Sequence, residues 1–550
     1  MSNLDLFKCF LRRLQEIWDW RSVNFCACGH CHLLTISASN KMDIRTLPGL
    51  DAWIGLQTIA GKEALHEKVG TWISDEVRLR QRSHEFAILQ QTLKTKPQVE
   101  QQLRTSFQDL AALEPDLRAV VSEASDLEKE AFNELLFLQP WSTPLNFVPC
   151  LLFLWSLLRV YILPGMAILT PILMLVLPFF MVRFLFGIPI TTDRYISLVS
   201  AMFTGQVTAL FRDTPTPPVA AKFDIFQLVK GGFLIMTVAQ SFLQPYWTFK
   251  HLSSIDRIIV QKARALRNFN ALYEEVRNTL AENGYTLSPN PFGQVTTDDR
   301  QLVALAHLHP TYLKYAHRRL GALEGLVCLA RRSDLVPVAW SSRTSAPLLD
   351  LQASFDYHVS EDTRVPFDVC LDTQSQHALL TGPNRGGKST TLRAIAAACV
   401  LAHTYGCAPG LRARMTPFHT LFVCLTPEDL PGKKSRFERE IEFTASSLAA
   451  PPTKRTLVLL DELYHSTNPP DAERACGLYT QQLWKRPQTL SIISTHLFEF
   501  VKQAPPAIQR LCCPASLRED GSVHYTYRLE QGLSTVSSVG ELLKENGLHV

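Results

Sequence analysis

Hydrophobic and polar positions alternate in distinct regimes along this chain. Leu4–Trp20 has the spacing of a short amphipathic helix. From Leu47 to Leu138, apolar residues recur every three or four positions among charges, over Gln81–Leu93, Val99–Leu113 and Leu117–Leu138. That period predicts amphipathic helices, with Pro97 and Pro115 read as breaks between them. Leu145–Ile190 is different: its 46 residues hold two charges, Arg159 and Arg183. A spanning helix needs about 20 mostly apolar residues, so this run has room for two passes. The expected bend is Leu163-Pro164-Gly165, and Arg159 is expected to snorkel or to sit near the turn. Trp141 at the edge and Trp155 and Tyr161 within suit a membrane interface. Thr214–Pro218 reads as a loop. Gly231–Phe249, between Lys230 and Lys250, is a weaker apolar run. It predicts an interfacial or buried helix, with a third span as the alternative.

Leu252–Leu280 returns to helical spacing. Ile255, Ile259, Leu266, Phe269, Leu272, Tyr273 and Val276 form its apolar stripe. Its basic start, Lys250, Arg257, Lys262, Arg264 and Arg267, suits anionic headgroups, nucleic acid or plain solvent equally. Leu302–Arg331 continues as helix. After Pro337 the pattern turns to short strands at Ala346–Phe355, Tyr357–Val359 and Val369–Leu371.

The next strand carries the chemistry. Leu379-Leu380-Thr381 runs into Gly382-Pro383-Asn384-Arg385-Gly386-Gly387-Lys388-Ser389-Thr390, and a helix-forming run follows. Gly, four residues, then Gly-Lys-Ser is a complete phosphate-binding loop. Its glycines let backbone N–H groups approach phosphates, and the helix N-terminus adds positive dipole. Lys388 is expected to reach the β/γ-phosphates of ATP and Ser389 to ligand Mg²⁺. Thr456–Leu460 is a buried strand ending in Asp461 and Glu462. Asp461 is assigned to Mg²⁺ through water, and Glu462 to the attacking water. A further strand ends at Thr495-His496, where a histidine senses γ-phosphate in ABC-type ATPases.

Composition adds little. A net charge of +4 does not identify a polyanionic partner. Thirteen cysteines without a pairing scheme fit free thiols in a reducing compartment. The N-terminus lacks the pattern of a secretory signal. Cys26-Ala27-Cys28-Gly29-His30-Cys31-His32 packs five ligand-type side chains together, but no second pair follows to complete a tetrahedral zinc site, so a reduced thiol-rich loop is favoured.

With these residues in hand, the segment from about Val365 to Leu548 resembles the ATPase domain of the MutS family of mismatch-repair proteins. The family's phosphate loop, Thr-Gly-Pro-Asn-Met-Gly-Gly-Lys-Ser-Thr, differs from Thr381–Thr390 only at Arg385. Ser435, Phe437 and Glu440 match its Ser-Thr-Phe-x-x-Glu signature, with Arg436 replacing Thr. Asp461, Glu462 and Thr467 match Asp-Glu-x-Gly-x-Gly-Thr-Ser, from which Tyr464, Ser466 and Asn468 depart. Thr495-His496 with Glu499 resembles Thr-His-x-x-Glu-Leu, and Gly532–Leu548 the dimerising segment, with Val539, Leu542 and Leu543 as its apolar face.

The resemblance implies that Asn384 lies against the nucleotide phosphates and that Ser435 reaches the γ-phosphate of the neighbouring subunit. Tyr527 takes the place of an adenine-stacking ring. Arg364 falls where the family often has an aromatic. The expected fold is an α/β P-loop ATPase domain of ABC type at the C-terminus. A helical core and lever domain precedes it, interrupted by a transmembrane or membrane-embedded hairpin. In residues, 1–45 form an N-terminal segment, 46–140 a helical core and 141–249 the membrane insertion, with its hairpin at 145–190 and the weaker helix at 231–249. Lever-like helices occupy 250–335 and the ATPase 336–550.

The reading is a membrane-associated MutS-like ATPase, homodimeric, in contact with lipid, with its ATPase domain facing the cytosol. DNA is a partner the sequence leaves open: no Phe-x-Glu mismatch-reading element stands near the N-terminus. Rival readings are a soluble MutS-type repair or recombination factor, a non-hydrolysing nucleotide switch and a transporter ATPase subunit. The last would want a Leu-Ser-Gly-Gly-Gln signature and about six spans.

Overall fold

The computed structural model of the protein describes residues 47–121, 126–148, 150–204, 225–290, 298–341, 346–425, 435–519 and 522–547. The expected helix Leu4–Trp20, the cluster Cys26–His32 and the loop Thr214–Pro218 lie outside them. The described residues divide into two compact units, 47–370 with 393–417, and 371–392 with 418–547.

The first unit is mostly helical. It contains α1 (Leu50–Ile54), α2 (Ile59–Gly70), α3 (Glu76–Thr95), α4 (Pro97–Val121), α5 (Asp126–Asn133), an apolar rod α6 (Leu151–Leu185), α7 (Thr192–Thr204), α8 (Ile225–Ala281), α9 (Asp299–Leu308) and α10 (Pro310–Ala330). Pro115 does not end a helix, since α4 runs through it. The expected helix Leu302–Arg331 is instead split at His309, ahead of Pro310.

Two buried carboxylates fix the start of α2, where backbone donors are free and the dipole favours negative charge. Glu114 accepts from Ile59 N (2.6 Å) and Ala60 N (2.7 Å), and Glu324 accepts from Gln57 N (2.7 Å) and Thr58 N (3.2 Å). There α10 touches α2 backbone to backbone. A methyl group on Gly321 would overlap the Ala60 carbonyl and Gly61 N. Gly321→Ala is therefore expected to cost about 1–3 kcal/mol by overpacking, read as a lower midpoint of thermal unfolding.

The hairpin expected within 145–190 is not formed. The rod α6 passes through Leu163-Pro164-Gly165 without a break in its helix. Proline lacks an N–H and crowds the carbonyl four residues back, but the turn before it, Leu157–Ile162, is π-helical. That wider turn absorbs the misfit. A second π-helical turn, Met181–Leu185, follows Pro178. Among the described residues, α6 is the one helix long and apolar enough to cross a membrane, and its apolar window is unburied.

Its partner is distant in sequence. The weak run Gly231–Phe249 and the amphipathic helix Leu252–Leu280 are one helix, α8, unbroken at Pro245 and about 85 Å long at 1.5 Å per residue. α8 lies antiparallel to α6: Ser156 Oγ meets Asp256 Oδ1 at 3.4 Å, and the Tyr161 ring meets Phe249 at 5.9 Å. Beyond those contacts Leu169, Met174, Phe184, Phe233 and Met236 are exposed. The C-terminal half of α8 behaves as its stripe predicts, with Ile255, Ile259, Leu266, Phe269, Leu272, Tyr273 and Val276 all buried.

Strands β1 (Leu335–Pro337), β2 (Ala339–Trp340), β3 (Leu349–Ser354) and β4 (Phe367–Leu371) follow; Tyr357–Val359 forms no strand. β1 pairs with β6 (Cys407–Pro409), and β2, β3 and β4 join β7 (Arg412–Met415) in a four-stranded sheet.

The second unit is built on a six-stranded sheet. Its strands are β5 (His377–Thr381), β8 (Thr420–Cys424), β9 (Thr456–Leu460), β10 (Thr489–Ser494), β11 (Gln509–Cys512) and β14 (Glu530–Gln531), ordered β14-β11-β5-β10-β9-β8. All pairs but β14 with β11 are parallel. β5, β9 and β10 are buried along their full length, which is why they read as unbroken apolar runs. Helix α11 (Lys388–Tyr405) starts directly after the phosphate loop. α12 (Arg436–Ala449), α13 (Pro469–Leu483) and α14 (Phe498–Gln503) connect the later strands, and α15 (Val539–Glu545) follows a short hairpin of β12 (Ala515–Leu517) and β13 (Val523–Tyr525). Because β5, β10 and β9 are parallel neighbours, their C-terminal ends open on one edge, where open α/β sheets bind ligands.

Candidate active site

Register brings the motifs together. Ser494 pairs with Leu380 on one side of β10, and Ile493 with Leu460 on the other. The loop from Gly382, the carboxylates Asp461 and Glu462, and His496 therefore leave the sheet at one edge.

The phosphate loop starts at Gly382, whose φ of 153° favours glycine and whose missing Cβ would stand 3.0 Å from the Cys513 carbonyl. Pro383 O accepts from Gly386 N at 3.1 Å, which closes the turn. Asn384 and Arg385 are exposed at its tip, with Arg385 at φ 65°. Past Gly387, Lys388, Ser389 and Thr390 form the first turn of α11, tied by Thr391 N to Gly387 O at 2.9 Å. The Lys388 ammonium is buried and donates to Gly382 O (3.0 Å) and Pro383 O (3.1 Å), inside its own loop. Burial lowers its pKa, while the charges of Glu462 and Asp461 oppose that shift.

Glu462 accepts from His496 Nε2 at 3.1 Å. This hydrogen bond is the main reason its pKa falls below the ordinary value of 4.5, against a rise from desolvation. The carboxylate is thus held in the form that can take a proton. Asp461 accepts from Ser494 Oγ at 2.5 Å, and the same hydroxyl accepts from Glu462 N at 2.8 Å. Ser494 fixes both carboxylates, yet sequence reasoning did not single it out. Its one signal was a polar residue closing an apolar strand beside the Asp461 strand. The exposed Ser389 hydroxyl and the Asp461 carboxylate are hard oxygen donors of the kind Mg²⁺ takes.

Ser435 is the N-cap of α12 in a reciprocal capping box. Its Oγ accepts from Glu438 N at 3.3 Å, and Glu438 Oε2 accepts from Ser435 N at 2.9 Å. The loop before it, 426–434, lies outside the described residues. Tyr527 reaches the phosphate loop: its ring stacks on Tyr525 (5.9 Å, 23°), and its Cδ1 would be 3.8 Å from a Cβ on Gly387. Arg364, in the other unit, pairs with Asp334 at 2.9 Å and lies 3.8 Å above the Phe355 ring, so its own unit occupies its guanidinium. In α15, Val539 is exposed, while Leu542 and Leu543 are half-buried.

Backbone strain concentrates here. Of the six described non-glycine residues at positive φ, Arg385, Glu462, Tyr464 and Tyr527 belong to this site. Each such residue costs roughly 1–3 kcal/mol, and persists where the surroundings over-determine it. Among the described residues no cluster of three or more His, Cys, Asp or Glu of metal-binding type occurs. Residues 378–543 match the sequence model of MutS domain V, so this part of the chain is MutS-like.

Proposed function

We propose that the protein is a membrane-anchored MutS-like ATPase that binds and hydrolyses ATP at sites completed by a second copy of the chain. The observation that carries the ATPase is the grouping of Lys388, Asp461, Glu462 and His496 at one sheet edge, inside the segment that matches MutS domain V. ATP entering the loop would draw Lys388 off the Gly382 and Pro383 carbonyls and onto its phosphates. Glu462, ionised and aimed by His496, would take the proton of the attacking water. Ser389, and Asp461 through water, would hold Mg²⁺, which would supply charge neutralisation at the phosphates. Asn384 at the loop tip and Tyr527 beside Gly387 would contact phosphate and base. The N-terminus of α12, with Ser435 as its cap, would complete the partner's site, Glu438 giving way to the γ-phosphate. α15 is the assigned dimer contact.

Membrane anchoring rests on the α6–α8 hairpin. The rod from Leu163 to Leu185 is about 35 Å long, enough to cross a hydrocarbon core of about 30 Å. Exposed Tyr161, Tyr246 and Trp247, with Lys250 over the Trp247 ring at 5.2 Å, lie where α6 meets α8, the arrangement of an interfacial belt. Both hairpin arms return to that belt, so residues before Leu151 and after Lys250 share one side, assigned to the cytosol. DNA binding enters only through the family likeness. High-pH carbonate is expected to leave the full chain in the membrane pellet. Release of most of it into the supernatant would remove the anchor from this reading.

A further inference from the structure

Two side chains that replace glycines in the pattern Asp-Glu-x-Gly-x-Gly both reach the same helix. Tyr464 stands at the first position with φ 59°, in the left-handed region that favours glycine. It is nonetheless buried. Its hydroxyl lies 2.8 Å from Thr444 Oγ1 on α12, and its ring packs edge-on against Phe437 at 5.7 Å. Ser466, at the second position, donates from Oγ to Glu440 Oε2 at 3.1 Å, also on α12. Glu440 is itself buried. Glycine at either position could make neither bond. The loop that leaves the Asp461–Glu462 strand is therefore bonded at two points to the helix whose first turn carries Ser435.

We infer that Tyr464 and Ser466 are positioning residues that tie the Glu462 exit loop to α12, so that a shift of Glu462 on nucleotide binding moves Ser435. The mechanical link is short. Tyr464 is two residues from Glu462, whose own φ is 50°. Ser466 holds the helix one turn from the Ser435 cap. A backbone change at Glu462 must then either break these bonds or carry the helix with it. A device of this kind makes the helix offered to the neighbouring site report the state of its own site. The inference rests on the ATPase reading above.

The test uses the full chain in detergent. Ser466→Ala removes one exposed hydroxyl, so folding is not at issue; Tyr464→Phe/Ser466→Ala removes both bonds and keeps the ring. Amide hydrogen exchange is followed over 382–392 and 436–449 with and without Mg-ATP, together with turnover. In the parent, ATP is expected to slow exchange in both segments. In the double variant, slowing over 382–392 is expected to persist and slowing over 436–449 to be lost. ATP affinity is expected to stay within about twofold and kcat to fall about tenfold, as loss of two modest hydrogen bonds allows. Ser466→Thr, which keeps a hydroxyl, is expected to behave as parent. A double variant whose α12 still responds to ATP as the parent does would overturn the tether while leaving the ATPase reading standing. A parent with no ATP response over 382–392 and no turnover would overturn both.

Discussion

Glu462→Gln is expected to keep ATP affinity within about twofold of the parent and to lower turnover by about a hundredfold or more, the range for losing a general base. The amide keeps the size of the side chain and its hydrogen-bonding reach toward His496, but it cannot take a proton. Lys388→Ala is expected to fail earlier, at nucleotide binding, because it removes the buried ammonium held inside the phosphate loop at the Gly382 and Pro383 carbonyls. The pair separates binding from chemistry: fluorescent-nucleotide titration follows one and phosphate release the other. A Glu462→Gln protein that turns over at the parent rate would show that another group takes the proton.

The pH dependence carries the same signature. The Glu462 pKa lies below the ordinary 4.5, chiefly through the His496 hydrogen bond. The base is therefore ionised throughout the neutral range, and its loss by protonation begins only in more acid solution. His496→Ala removes the hydrogen-bond donor that chiefly lowers the Glu462 pKa, so the acid limb of the pH–turnover profile is expected to move upward.

Mixing two inactive chains, Lys388→Ala and Ser435→Arg, is expected to restore activity. Neither homodimer has a complete site. In a mixed dimer, the Ser435→Arg chain supplies an intact phosphate loop and the Lys388→Ala chain an intact α12 cap. With random pairing half the dimers are mixed and each holds one complete site, so about a quarter of the parent rate should return. The physical reason is the exposure of Ser435 and of the phosphate-loop tip. Phosphate bound against Lys388 would be covered on one face only, and developing charge on the other needs donors. Demonstrated mixed dimers without activity would place the missing donors within a single chain.

Much of the site was legible because its signals are local. Gly382–Thr390 declares itself by spacing, and Asp461 and Glu462 by following an apolar run. Ser435 stands out through the Ser-x-Phe-x-x-Glu signature, and its capping box with Glu438 emerges only in the fold. What the sequence withheld depends on contacts distant along the chain. Ser494 matters only because strand register sets it beside Asp461. Tyr464 and Ser466 were visible as departures, but nothing local says that both turn toward α12. Prolines misled in two ways. Pro115 and Pro245 interrupt the pattern, yet their helices continue. Pro164 suggested a turn, where a π-helical turn precedes it and the helix continues. The true hairpin partner of α6 lies beyond residue 224, and its apolar half is too mixed, with Gln240 and Gln244, to stand out alone.

The proposed enzyme hydrolyses ATP at Glu462 while resident in a membrane. The most direct measurement is Mg-ATP turnover by carbonate-washed membranes bearing the full chain, compared with membranes bearing Glu462→Gln at equal protein. Turnover is expected to stay with the washed membrane and to disappear with Glu462→Gln. Turnover that washes into the supernatant, or that is the same in both membranes, would contradict the proposal.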